Sequence, residues 1–215
     1  LRRKASVLHE RNRRLGGNIS REQHQETEEA LREALRINPN DSVLHSIYAE
    51  YRSKENPEEA LARFQQIQER FPGVRNHILC GNLAMSMAQK ESIPERRDSL
   101  FQIAGSAYEK AYAAEPQHKE VITRYSEYLR ITGRQDEAVA LFGGQDSELA
   151  DFYLRDGQYG KALEILNRLY QQDPKQAPVV RSLALIAGRT ADKKGVEKYT
   201  EELLKLDTDA KVKLD

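Results

Sequence analysis

Glu58-Glu59-Ala60-Leu61-Ala62-Arg63-Phe64, Asp136-Glu137-Ala138-Val139-Ala140-Leu141-Phe142 and Gly160-Lys161-Ala162-Leu163-Glu164-Ile165-Leu166 repeat one pattern. In each, an alanine is followed four residues later by a large apolar residue. Side chains at i and i+4 share a helix face, one turn apart, so each segment predicts a helix with a small and a bulky residue pointing the same way. Recurrence of such a helix along a chain predicts stacked helix pairs.

The turns set the beat. Asn38-Pro39, Phe71-Pro72-Gly73, Glu115-Pro116 and Asp173-Pro174 each follow one amphipathic run and precede another, and proline just past a helical pattern stops it. Between successive prolines lie two helical patterns. Leu44, Ile47, Tyr48 and Tyr51 form one set, and after the break at Asn56-Pro57 come Ala60, Leu61, Phe64 and Ile67. Later sets are Ile122, Tyr125, Ser126 and Leu129; Leu149, Ala150 and Tyr153; and Val180, Leu183, Ala184 and Ala187. No segment alternates as a strand would.

Small residues pair between first and second helices, Ser126 with Ala138 and Ala150 with Ala162. Leu129 with Phe142, and Tyr153 with Leu166, fill the adjoining space. Over roughly residues 20–208 this arrangement resembles the tetratricopeptide repeat, a helix pair of about 34 residues. It departs at one position, where the family often has tryptophan and this chain has Leu44, His77, Ile122 and Val180. The resemblance implies an all-α, right-handed α-solenoid of about 12 helices. Residues 1–40 read as a basic helix and an irregular first repeat or cap, with Ser20 and Gln23 as a capping box. Residues 41–208 read as repeats near 41–73, 74–117, 118–144, 145–176 and 177–208, and 209–215 as a tail. The basic helix is expected to end at Gly16-Gly17. The second repeat is too long, with Gln89–Asp98 expected as a protruding hairpin. Ala138 to Ala162 is short, and Gly143-Gly144 there is either a tight turn or a hinge.

Lys plus Arg and Asp plus Glu both number 34, so the chain as a whole is not committed to nucleic acid or an anionic membrane. The basic run Arg2, Arg3, Lys4, Arg11, Arg13 and Arg14 permits such a contact locally, or it pairs with neighbours such as Glu26, Glu28 and Glu29. No apolar window predicts a membrane-spanning helix. Leu1 in place of methionine suggests a piece of a longer protein, and a cytoplasmic location is expected. The five histidines form no HExxH motif, Cys80 has no CxxC partner, and Gly157-Gln158-Tyr159-Gly160-Lys161 lacks phosphate-loop spacing. No catalytic, cofactor or metal site is predicted, and the expected function is that of a non-enzymatic scaffold or adaptor.

In arrays of this kind, first helices line the concave surface. The faces opposite their packing positions carry His45 and Arg52; Ile78, Asn82 and Met85; Thr123, Glu127 and Arg130; Asp151 and Arg155; and Arg181 and Arg189, with Ala49, Arg75 and Leu185 among them. Six arginines stand there against two acids. Arginine suits planar carboxylates and phosphates, so the partner expected is a protein or peptide with acidic residues. The alternatives are that these arginines only pair internally, that the segment is structural or self-associating, or that it is a regulatory repeat region of a larger protein. Some members of the family grip a peptide C-terminal carboxylate; Asn82 and Arg124 fall near such places, but Ile78 stands where that motif needs lysine.

Overall fold

The computed structural model describes residues 2–15 and 20–212. Gly16-Gly17 and the last three residues of the tail lie outside the described residues. Twelve α-helices, and no strand, occupy them: α1 (Arg2–Arg14), α2 (Arg21–Ile37), α3 (Ser42–Arg52), α4 (Pro57–Arg70), α5 (Val74–Ala88), α6 (Pro94–Ala114), α7 (Lys119–Ile131), α8 (Gln135–Ala140), α9 (Asp146–Arg155), α10 (Tyr159–Gln172), α11 (Ala177–Arg189) and α12 (Lys193–Val212). The fold is an all-α solenoid of helix pairs.

Short-range chemistry starts these helices where the sequence suggests. The Ser20 hydroxyl accepts from Gln23 N–H at 3.2 Å and the Gln23 side chain accepts from Ser20 N–H at 2.9 Å, closing a capping box. Asp41 caps α3 through Val43 and Leu44 N–H. Asn56 accepts from Glu59 N–H, with Pro57 in the first turn of α4 where its missing donor costs nothing. Pro94 opens α6 in the same way, so the long second repeat puts its extra residues into a 21-residue helix. The expected hairpin at Gln89–Asp98 shrinks to a short connection.

The chain divides into two compact units, residues 1–128 and 129–215, with the division inside α7. In the N-terminal unit α3 packs on α4, α4 on α5 and α5 on α6, while first helices also touch, α1 with α3 and α3 with α5. Leu31, Leu44, Phe64 and Tyr108 are fully enclosed there. In the C-terminal unit α9 packs on α10, α10 on α11, α11 on α12, and α9 on α11. Ala150 and Ala162 have no exposed surface, and Phe142 meets Phe152 with ring centres 5.3 Å apart. Gly143 and Gly144 both have left-handed backbone, φ +51° and +91°, which only glycine adopts freely; they make the turn that shortens this repeat.

Candidate partner-binding surface

The cleft between α5 and α7 gathers three of the expected residues. Asn82, Met85, Ser86 and Gln89 of α5, Tyr108 of α6, and Arg124 and Glu127 of α7 line a pocket of about 430 Å³. Its shape rests on one glycine. A Cβ on Gly81 would sit 2.6 Å from the Tyr108 ring, so only glycine lets that ring lie against α5. Tyr108 then donates its hydroxyl hydrogen to Asn82 Oδ1 at 2.9 Å, leaving the Asn82 N–H groups for other acceptors. Burial pushes the Tyr108 hydroxyl well above its ordinary value, so it stays a donor at neutral pH. Ser86 and Gln89 lie four and seven residues after Asn82; that helical stripe is visible in the sequence, whereas the inward reach of Tyr108 from α6 is not.

The other expected residues of this unit are placed differently. Ile78 is 5 % exposed and packs with Ala111 and Val121, because α7 lies over it; it belongs to the core. Met85 is buried and forms pocket floor. Arg52 is held by carboxylates, with Glu55 at 2.9 Å, Glu59 at 3.5 Å and Glu28 at 3.6 Å. His45 stacks on Phe71 at the end of α4, away from the α5–α7 cleft. Thr123 donates back to Lys119 C=O within α7.

In the C-terminal unit, Arg130 points a guanidinium nitrogen at Asp156, 3.3 Å away, and Gln135 donates to the second Asp156 oxygen at 2.9 Å. Burial alone would raise the Asp156 carboxyl, but hydrogen bonds from Gln158, Arg130 and Gln135 outweigh it and hold it below the usual range. Asp151 and Arg155 are exposed one turn apart on α9, where Arg155 donates to the Asp151 carbonyl at 3.3 Å; burial raises the Asp151 carboxyl and the Arg155 charge opposes that rise. Arg181, Leu185 and Arg189 are exposed along one stripe of α11. Helix α9 touches α11, and on α11 Leu185, 49 % exposed, stands one turn from each of Arg181 and Arg189.

No protein-family model matches this sequence, and no curated protein matches it. Solved structures do. A thermophilic tetratricopeptide-repeat protein of Thermus thermophilus is similar at a TM-score of 0.58 and 18% identity, over 95% of this chain and all of that one. The chain has the tetratricopeptide-repeat fold. Pseudomonas aeruginosa pilF is similar at a TM-score of 0.55 and 16% identity, over 94% of this chain and 93% of that one. Human IFIT1, solved as a dimer with m7Gppp-AAAA, gives 0.60 and 13% identity over 94% of this chain and 54% of that one.

Within this tetratricopeptide-repeat fold, Cys80 is buried beside Gly81, and burial lifts its thiol to about 11, so it carries almost no thiolate at neutral pH. His77 is buried against Gln68, and desolvation lowers its affinity for a proton. Among the described residues no three His, Cys, Asp or Glu side chains are grouped to hold a metal ion, and no helix is long and apolar enough to cross a membrane. The basic run of α1 is largely answered by carboxylates: Arg13 and Arg14 by Glu10, Lys4 and Arg11 by Glu26, Arg2 by Asp41. Hydrogen bonds from Arg13 and Arg14 hold the Glu10 carboxyl down at about 2.

Proposed function

We propose that this chain is a non-catalytic protein-interaction module whose first-helix faces take up an acidic, partly apolar segment of a partner protein. The observation that carries this reading is the α9–α11 face. Arg155, Arg181 and Arg189 are exposed on these two helices and form no ion pair among the described residues, although the charge of Arg155 acts on Asp151 one turn back, and Leu185 is exposed between Arg181 and Arg189. Arginine forks match carboxylates in two parallel hydrogen bonds, and a solvent-exposed leucine between them offers an apolar contact. The face stands on packed helices, so little ordering entropy opposes binding. The α5–α7 pocket supports the same reading in the other unit, with amide, hydroxyl and guanidinium groups around a cleft large enough for a side chain.

Selection of a displayed random peptide library on the intact chain tests this. Acidic sequences with an aliphatic residue should be enriched, and R155E with R181E should abolish their binding while helicity and melting stay unchanged. Selected peptides without acidic bias, or binding indifferent to the double reversal, would sink the proposal.

A further inference from the structure

A second recess lies where the start of α3 meets the end of α4. It measures about 190 Å³ and is lined by His45, Arg63, Gln66, Ile67, Arg70 and Phe71. Arg63, Gln66, Ile67 and Arg70 fall at i, i+3, i+4 and i+7, a single face of α4. Two cations on one helical stripe repel each other, and a purely structural role would pair each with a carboxylate. Here both lie over aromatic rings, and Arg63 also forms a long ion pair with Glu59 one turn back. The Arg63 guanidinium carbon lies 4.5 Å from the Tyr48 ring centre, and that of Arg70 lies 5.2 Å from the Phe71 ring centre. Phe71 in turn stacks on His45, with centres 6.2 Å apart and planes 26° from parallel.

A guanidinium over a ring face keeps N–H donors for a second partner. The carboxylate nearest Arg63, that of Glu59, is 3.9 Å away, beyond hydrogen-bonding distance. Arg70 donates to the neutral amide oxygen of Asn40. His45 Nε2 donates to the Pro39 carbonyl at 2.8 Å, which orients the imidazole beside the recess. The side chain of Arg63 is only 31 % exposed, so its charge is worth more toward a ligand than that of a fully solvated arginine. One guanidinium already satisfies a carboxylate; two, with the Gln66 amide beside them, suit a dianionic tetrahedral oxyanion.

We propose that this recess is a binding site for a phosphate monoester. It lies on other helices than the α9–α11 face and stands or falls separately from the acidic-peptide reading. The test is a titration of the intact ¹⁵N-labelled chain with inorganic phosphate at pH 7.5, followed by NMR at the arginine Nε–H and His45 signals. A parallel arm uses an acetyl-Gly-phosphoserine-Gly amide. Saturable shifts at Arg63, Arg70 and His45 are expected, with affinity about tenfold weaker in R63Q and in R70Q for loss of a charge-assisted contact. The variant R36Q, at an exposed arginine of α2 outside both surfaces, should leave them unchanged. Tighter binding of the phosphopeptide than of inorganic phosphate assigns the source to a partner chain, and the reverse order to a free anion; either order supports the site. Absence of saturation, shifts that survive both Gln variants with unchanged melting, or equal shifts at Arg36 would overturn it.

Discussion

Arg52, Arg155 and Arg189 are each the last residue of a first helix, and Arg130 is the last but one of its own. The helix dipole favours a cation at that end, so the shared position needs no ligand to explain it. What differs is the company. Arg52 in the N-terminal unit is enclosed by Glu28 from α2, Glu55 from the turn and Glu59 from α4. In the C-terminal unit the carboxylates that follow each arginine are already committed: Asp156 serves Arg130, and Asp192 caps α12 through Gly195 N–H at 3.1 Å. Arg155 and Arg189 are exposed, with only the charge of Asp151, one turn back, acting on Arg155. The same residue at the same place is structural in one unit and available in the other, and the neighbours' other duties decide which.

The sharpest way to break this contrast is truncation. Replacing Arg52 with Met strips a shared cation from three converging carboxylates, of which Glu28 also meets Arg32 and Glu59 also meets Arg63, and should cost about 2–4 kcal/mol in denaturant unfolding, by analogy with broken half-buried ion pairs. Arg189→Met should fall within about 0.5 kcal/mol of the parent. Equal losses at the two positions would erase the distinction between an enclosed and a free arginine.

Next in size is Gly81→Ala. The added methyl meets the Tyr108 ring at 2.6 Å, and overpacking of this kind costs about 1–3 kcal/mol. Because Tyr108 holds Asn82, the same change should distort the α5–α7 pocket without touching the α9–α11 face. Peptide selection that shifts in both surfaces would show that they do not act separately.

Asp156→Asn should cost about 1–2 kcal/mol, since the amide keeps the hydrogen bonds from glutamine but loses the charge that holds Arg130. The pH dependence has a fixed sign. The Asp156 carboxyl lies below its unfolded value of about 3.9, so its contribution is complete above that pH and fades as pH falls through the folded value. The Asn variant should therefore lose less stability than the parent on acidification below about pH 4. Parallel acid titrations of the two proteins would count against the Arg130–Asp156 network.

Much of the fold was legible because its determinants are local. The Ser20–Gln23 box, Asn56-Pro57 and the buried Ala150–Ala162 pair are all decided within a turn or one repeat. Gln89–Asp98 was misread because Pro94 serves both as breaker and as opening residue of a helix, and only the length of α6 distinguishes the two. Among candidate site residues, Asn82, Met85 and Glu127 follow from helical stripes and meet in one pocket. Burial of Ile78 depends on how α7 lies over α5, and enclosure of Arg52 on residues from two other helices. Helical spacing carries no record of either.

The smallest thermodynamic effect is the most informative about function. Arg155 and Arg181 form no ion pair among the described residues and sit on exposed surface, with only the solvent-screened charge of Asp151 acting on Arg155, so reversing both to Glu should alter stability by less than about 1 kcal/mol in total. Reversal adjacent to a bound acidic segment puts like charges together, and such juxtapositions cost several kcal/mol of binding. A change nearly silent in melting should therefore be decisive in peptide capture, and capture should weaken with added salt in the parent because the contacts are solvent-exposed. Reversing Arg52 inverts that order, since the charge then lost is one the fold itself uses. A double reversal at Arg155 and Arg181 that destabilises the chain as much as a change at Arg52 would mean that the free face has a hidden structural partner, and the division between the two kinds of arginine would have to be redrawn.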